Sequence, residues 1–223
     1  MEKLIAGVHR FRRLEYPLQQ EFFQQLATKD QKPMALFITC SDSRVHPNLI
    51  TQTEPGDLFL IRNAGNLVPP YSPQGGGESA TIEYSIEVLG IRSIIICGHS
   101  QCGAMKALLN ADSVAHLPAV RAWCTHAEAT RRIVQQKYRG LSGKDLSIAA
   151  AEENVLVQMN HLSTHPSVAA RLASQELQVY GWYYDIGAGQ IYQYDQSRGR
   201  FLELNGEAYA AQPLPIREVV HSA

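Results

Sequence analysis

The sequence predicts an α/β protein: a central, mostly parallel sheet of four to five strands flanked by helices, with a helical arm at the N-terminus. Three features point to it. Met34-Ala35-Leu36-Phe37-Ile38-Thr39 and Ser93-Ile94-Ile95-Ile96-Cys97 are short, near-continuous apolar runs, the pattern of strands buried on both faces, as in parallel sheets. Around them lie stretches with apolar residues at helical spacing, so strand and helix alternate. Both runs also lead into loops carrying Cys, His, Asp and Arg, and open α/β sheets keep their chemistry at the carboxyl ends of the strands.

The arm spans residues 1–30. Leu4, Ile5, Val8 and Phe11, then Leu18, Phe22, Phe23 and Leu26, fall at helical spacing on either side of Pro17, which lacks the N–H a continuous helix needs and so separates two amphipathic helices. Strand one is 34–39, and Asp57 to Arg62, after the turn at Pro55-Gly56, is strand two. From Arg62 through Asn63-Ala64-Gly65-Asn66 and Pro69-Pro70 to Gly75-Gly76-Gly77 runs a loop long enough to suggest a site wall. Ile82, Ile86 and Leu89 mark a helix closed by Gly90, and 93–97 is strand three. Ala104 and Leu108 begin the next helix. Two longer helices follow, one with Val120, Trp123, Ala127, Val134 and Tyr138 on one face, the other with Ile148, Ala151, Val155, Met159 and Leu162. A short helix after Pro166 precedes strand four at 177–184, which turns at Gly187-Ala188-Gly189 into strand five at 190–194. Residues 1–205 are expected to form a single domain; 206–223, with Pro213 and Pro215, read as a short extended tail.

Composition narrows the function. At 223 residues and 45% hydrophobic the chain can bury one sizeable core. Its net charge of −1, with Lys and Arg dispersed, argues against nucleic acid as a partner. Charged residues from Glu2 to Arg13 interrupt any apolar core at the N-terminus, so neither a signal peptide nor a membrane span is expected there, and the setting expected is cytoplasmic. Four cysteines in such a chain read as metal ligands or core thiols rather than a disulfide framework.

Cys40, His99 and Cys102 offer two thiolates and an imidazole, the donor set of a catalytic zinc with its fourth position open. Cys97, within a strand, and Cys124, on an apolar helix face, read as small hydrophobes. Zinc lowers the pKa of a bound water and makes it a nucleophile near neutral pH, but two thiolates donate more charge than two imidazoles would, which weakens that effect. A neighbour has to help. Asp42, kept ionised by Arg44, can accept the hydrogen bond that orients the nucleophile; released from Arg44 it could close the metal's open position in an acid-favoured form. His46, close to this pair, is a candidate proton shuttle. Rival chemistries fit less well. Gly98-His99-Ser100-Gln101-Cys102 carries a cysteine where a nucleophile elbow needs its last glycine, Cys40 and Arg44 are too close for a phosphatase loop, and no Gly-Lys-Ser/Thr follows Gly75-Gly76-Gly77.

Cys-Ser-Asp-Ser-Arg at 40–44 and Gly-His-Ser-Gln-Cys-Gly at 98–103, with Arg62 to Asn66 and Ser79 to Tyr84 between them, resemble the β-class carbonic anhydrases, most strongly over residues 30–110. The resemblance implies zinc on Cys40, His99 and Cys102, a dyad of Asp42 and Arg44, and a substrate pocket lined by Gln31, Phe59 and Tyr84 with Gly103 beside it. Without it those three lining residues read as a polar loop residue, a strand core residue and a helix-face residue. It further implies reversible hydration of CO2 to bicarbonate, a four-stranded parallel sheet extended by a further strand, and a homodimer or higher homo-oligomer with the pocket between subunits. In one branch a regulatory bicarbonate site uses a tryptophan three residues before the first zinc cysteine. Arg62 and Tyr184 match its partners here, but Phe37 lacks the indole donor, so the sequence does not carry that bicarbonate site complete. Lys3 to Arg12 and Ala127 to Arg132 are similar to carboxysomal members, which implies a CO2 supply for carbon fixation and a carboxysome scaffold protein as partner; a chain ending at Ala223 suits a free cytoplasmic enzyme equally. The same fold also admits hydrolysis of carbonyl sulfide or carbon disulfide, and a zinc-stabilised assembly protein without turnover is a third reading.

Overall fold

A computed structural model describes residues 1–204, and the tail expected beyond 205 lies outside the described residues. One sheet takes the strand order β2-β1-β3-β4-β5-β6. β1 (Ala35–Cys40), β2 (Leu58–Asn63), β3 (Ser93–His99) and β4 (Gln178–Asp185) are parallel, while β5 (Gln190–Asp195) and β6 (Arg200–Glu203) pair antiparallel beyond β4. Every residue of β1 is buried, which is why its sequence shows no polar alternation. The sequence reading did not anticipate β6. It is four residues long, too short for a legible period, and is placed by pairing with β5 and by Phe201 packing into the core.

The arm departs from two helices with a clean break. α1 (Glu2–Arg10) continues through a π turn at Phe11–Glu15 and a 3-10 turn at Tyr16–Gln19 into α2 (Gln20–Thr28). The missing N–H of Pro17 is absorbed by these irregular turns, where Phe11, Tyr16 and Phe23 meet with ring centroids 5.6 to 6.2 Å apart. No residue of α1 or α2 is buried, and Leu4, Ile5, Val8, Leu14 and Leu18 are more than half exposed.

Short helix α3 (Pro47–Thr51), not expected, is capped by His46, whose ring nitrogen accepts from the Leu49 N–H. α4 (Gly77–Glu87) ends before Gly90, whose φ of +64° lets the chain turn toward β3. α5 (Gly103–Leu109) follows the second site loop. The helix expected over 120–138 is two: α6 (Pro118–Cys124) and α7 (Glu128–Lys137), separated by a 3-10 turn at Thr125–Ala127. The Thr125 hydroxyl donates to the Ala122 carbonyl and tightens the turn, which buries Ala127.

α8 (Gly143–Leu162) crosses β3 and β4 at their glycines. A Cβ on Gly98 would stand 2.9 Å from Val155 Cγ2, and one on Gly181 would stand 2.7 Å from Met159 Sδ, so both positions need glycine for the helix to lie this close. α9 (Pro166–Ala173) packs against α4. One apolar cluster joins Leu36, Ile38, Ile94 and Ile96 to α4, α8 and α9; a second, around Leu67, Met105, Leu108 and Val134, lies under the site loops. Each such side chain contributes about 1.5–3 kcal/mol on burial.

Two adjacent acids on α8 differ in their surroundings. Glu153 accepts from Lys137 Nζ and Tyr138 Oη, both at 2.6 Å. Burial, reinforced by the Glu153 charge, pushes the Glu152 carboxyl up from 4.5 to about 7. The folded state therefore holds that proton more tightly than the unfolded chain, and its stability falls as pH rises from about 4.5 to about 7. Glu152→Gln is expected to unfold at the same urea midpoint as the parent at pH 4 and to be more stable at pH 8, by about 1–2 kcal/mol after allowance for partial solvation. Equal midpoints at pH 8 would rule out this burial penalty.

Candidate metal centre

The parallel register of β1 and β3 sets Thr39 opposite Cys97, so the two strands end side by side and release Cys40 and His99 next to each other. The Thr39 hydroxyl donates to the Cys97 carbonyl at 2.9 Å and ties the two ends together. Past His99, the Ser100 N–H donates to the Tyr184 carbonyl and Gln101 takes a left-handed φ of +58°, which folds the chain back and delivers Cys102 just ahead of α5. The donor atoms of Cys40, His99 and Cys102 all lie within 4.8 Å of one another, and all three residues are buried.

His99 Nδ1 lies 2.9 Å from the Ser100 carbonyl. A carbonyl only accepts, so Nδ1 carries the proton and Nε2 presents its lone pair. That Nε2 is buried and has no hydrogen-bond partner. Left alone, such an atom costs about 1–3 kcal/mol; a cation between it and the two sulfurs removes the penalty, and the donor set suits zinc. One sulfur is arranged for deprotonation and the other to hold the proton they share: its hydrogen bond to Cys40 and its burial push the Cys102 thiol up. A hydrogen bond from Cys102 pulls the Cys40 thiol well below the usual range, assisted by His99 and by the Gly65 N–H, which stands 3.4 Å from Cys40 Sγ.

Asp42 and Arg44 form a two-pronged ion pair, Nε to Oδ1 at 2.9 Å and Nη2 to Oδ2 at 2.7 Å, and the Arg44 N–H adds a third bond to Oδ1 at 3.0 Å. This guanidinium holds the carboxyl far below its ordinary range, so it is ionised at any neutral pH. The same Oδ2 stands 3.9 Å from His99 Nε2, which places the carboxylate at the rim of the donor cluster.

Several residues that shape the site carried no chemical signature in the sequence. Arg62 donates to the carbonyls of Cys40, Asp42 and Val45 and so braces the loop that carries the first cysteine and the dyad. The wall between Asn63 and Tyr71 is pinned by side chains: Asn63 closes on Leu67, Trp123 Nε1 donates to the Ala64 carbonyl, Asn154 to Gly65, and Gln158 accepts from Val68. The signal available in advance was Asn154 and Gln158, two amides one turn apart beside the apolar residues Ala151, Val155 and Leu162 of α8.

Of the remaining predicted residues, Gly103 adjoins Cys102 as the first residue of α5. Gln31, Phe59 and Tyr84 are not brought to the metal donors within one chain. Phe59 pairs with Leu36, four residues from Cys40 along β1, about 13 Å at the rise of a strand, and stacks on Tyr84; Gln31 lies in a groove with Gly56 and Asp57, near the start of β2. Cys97 is fully buried and its thiol is pushed up to about 12 by burial; Cys124 is half-buried at the edge of the second cluster. Phe37 packs edge-on against Trp182.

Two buried sulfurs and an unpartnered imidazole nitrogen, at the carboxyl edge of a parallel sheet and beside an ionised carboxylate, define an α/β protein with a site suited to a metal ion. Residues 35–191 match the carbonic anhydrase family, and the chain belongs to that family, within its β class. It is 49% identical over 194 residues to a carbonic anhydrase of Synechococcus elongatus, spanning 86% of this chain and 71% of that protein. Its structure is similar to that of the β-carbonic anhydrase CcaA with a TM-score of 0.88 at 48% identity, covering 91% of this chain and 98% of that one. A tetrameric β-carbonic anhydrase of Sordaria macrospora matches with a TM-score of 0.77 at 28% identity, over 86% and 95% of the two chains.

Zinc analysis after exhaustive dialysis tests the donor set. The parent and Cys124→Ser are expected to retain about one zinc per chain, while Cys40→Ser, Cys102→Ser and His99→Ala lose it. Undiminished zinc in any of those three would remove that residue from the centre.

Proposed function

We propose that this chain catalyses the reversible hydration of CO2 to bicarbonate and a proton, with zinc held by Cys40, His99 and Cys102. The observation that carries the proposal is the buried lone pair of His99 Nε2, set between two sulfurs and 3.9 Å from a carboxylate that Arg44 keeps ionised. Bound there, zinc supplies a Lewis acid that makes water nucleophilic near neutral pH. The protein supplies the rest. The Ser100 carbonyl fixes the His99 tautomer, Arg62 braces the Cys40–Val45 loop, and Arg44 presents Asp42 as an acceptor. Asp42 takes a hydrogen bond from the attacking oxygen and turns its lone pair toward the carbon of CO2; an ionised carboxylate can only accept, so the hydrogen of that oxygen is held away from CO2. The proton released passes to buffer, with His46 as the candidate relay at the surface.

Gln31, Phe59 and Tyr84 line the pocket, together with Gly103, in an assembly of at least two copies. A single chain holds Phe59, with Tyr84 stacked on it, beside Leu36, four strand residues from its own Cys40, and Gln31 near the start of β2, so they serve the metal centre of a second copy. The apolar faces of α1 and α2, bare in one chain, supply the surface for such a homodimer, and the tetrameric fungal relative supports assembly beyond it. The likeness of Lys3 to Arg12 and of Ala127 to Arg132 to carboxysomal members supports a role in supplying CO2 to carbon fixation, in the cytoplasm or within a carboxysome alongside a scaffold protein. Among the described residues no helix is long and apolar enough to cross a membrane.

Stopped-flow CO2 hydration tests the activity. Zinc-loaded parent is expected to turn over, and Asp42→Ala to keep its zinc while losing about 10²-fold or more in kcat. Zinc-loaded parent no faster than Cys40→Ser would end the proposal, and turnover of carbonyl sulfide in its place would move the substrate to that class.

Mixing tests the shared pocket. Cys40→Ser and the double variant Phe59→Ala/Tyr84→Ala, each inactive alone, are expected to recover about a quarter of parental activity when refolded together, since half the dimers are mixed and each mixed dimer holds one intact site. No recovery in verified mixed dimers would return the pocket to a single chain.

A further inference from the structure

The peptide between Ala64 and Gly65 is engaged at both of its polar groups, by Trp123 from a distant helix and by Cys40 at the end of β1. Its carbonyl, on Ala64, accepts from Trp123 Nε1 at 2.8 Å, and its N–H, on Gly65, points at Cys40 Sγ at 3.4 Å. The next carbonyl, on Gly65, accepts from Asn154 Nδ2 at 3.0 Å. Asn154 is fully buried, and its other amide atom, Oδ1, is in turn held by Gln158 Nε2 at 3.0 Å and Thr130 Oγ1 at 3.2 Å. Gly65 itself sits at φ +84°, and a Cβ there would stand 2.8 Å from Ala104 Cβ, two residues from Cys102. The peptide is thus wedged between the elements that carry the two sulfurs, in a conformation that only glycine adopts without strain.

We propose that Trp123 and Asn154 are positioning residues of the metal centre: they aim and polarise the Ala64–Gly65 peptide so that its N–H draws charge from the Cys40 sulfur. A hydrogen bond to a peptide carbonyl strengthens the N–H of the same peptide as a donor, so the indole and the sulfur are linked through one planar group. Asn154 fixes the rotation of the following peptide and with it the direction of the Gly65 N–H. A thiolate that accepts a hydrogen bond donates less to its metal, leaving a stronger Lewis acid. This answers the weakness of a donor set with two thiolates. The inference rests on the reading of Cys40 as a zinc ligand.

The nearest alternative is that both side chains only pack. Trp123 lies edge-on to His126 with centroids 5.3 Å apart, and Asn154 fills space under the wall. The cobalt(II)-substituted full-length protein separates the two, because the thiolate-to-cobalt charge-transfer band reports the electron richness of the sulfurs. Trp123→Phe keeps an aromatic ring and removes the N–H, and Asn154→Leu keeps volume and removes the donor. Both bands are expected to move to longer wavelength than the parent's, with kcat/KM for CO2 falling about tenfold in the zinc forms. If Asn154→Leu does not fold, Trp123→Phe decides alone. An unshifted band in folded, cobalt-loaded Trp123→Phe overturns the linkage, as does the absence of any thiolate band in the parent. A parent with the band, and with the shift in Trp123→Phe, but without CO2 turnover upholds the linkage and overturns the proposed activity instead.

Discussion

The structure depends on two parallel strands ending side by side. Adjacent strands lie about 4.8 Å apart, so when β1 and β3 run in register their last residues emerge within reach of one ion. Nothing local could bring Cys40 to His99, which are separated in sequence by α3, β2 and α4. The remaining ligand comes from the backward turn at Gln101, whose left-handed backbone returns the chain toward the strand it has just left. A shift of one residue in the pairing of β1 with β3 would send every side chain of the shifted strand to the opposite face and dissolve the centre. The apolar packing of Leu36, Ile38, Ile94 and Ile96 therefore also fixes the geometry of the donors.

Around the donors the protein is polar in an ordered way. Burying amides such as Asn154 and Gln158 is unfavourable unless their bonds are made, and here they are made to the backbone of the wall. His161 and His165 extend the same device, reaching the Val68 and Pro69 carbonyls at 3.0 Å, and burial holds both imidazoles below their ordinary pKa, in the neutral form that suits contact with an adjacent backbone. A segment without regular structure thereby has its backbone groups tied to side chains of the helices around it. Rigidity matters because an N–H that is to influence a sulfur has to stay within a few tenths of an ångström of its direction. Arg62 does the same for the opposite loop through three carbonyls.

Much of this was legible in advance. The sheet's parallel half could be read because strands buried on both faces leave uninterrupted apolar runs, and the donors could be read because cysteine and histidine directly after such runs have few competing explanations. The expected continuous helix over 120–138 failed for a physical reason: apolar spacing persists through a 3-10 turn, so periodicity alone does not register the break at Thr125–Ala127. β6 escaped because four residues cannot show a period. Trp123 looked like an ordinary member of a helix face and Asn154 marked only a polar position in α8, since what distinguishes them is the backbone atom at the end of each side chain.

By itself the sequence determined which chemistry is possible: two sulfurs, an imidazole and a paired carboxylate, placed after strands whose apolar character forces them into a sheet. Residue type and local period carry that information because ligand chemistry and burial are properties of single residues and short runs. Only the tertiary structure decided which atoms meet. It left His99 Nε2 without a partner between two sulfurs, turned the Gly65 N–H onto Cys40, and kept Phe59 and Tyr84 at the far end of the strand from the centre of their own chain. Those outcomes follow from strand register and helix packing, which sum many weak contacts across the whole chain and leave no mark at any one position.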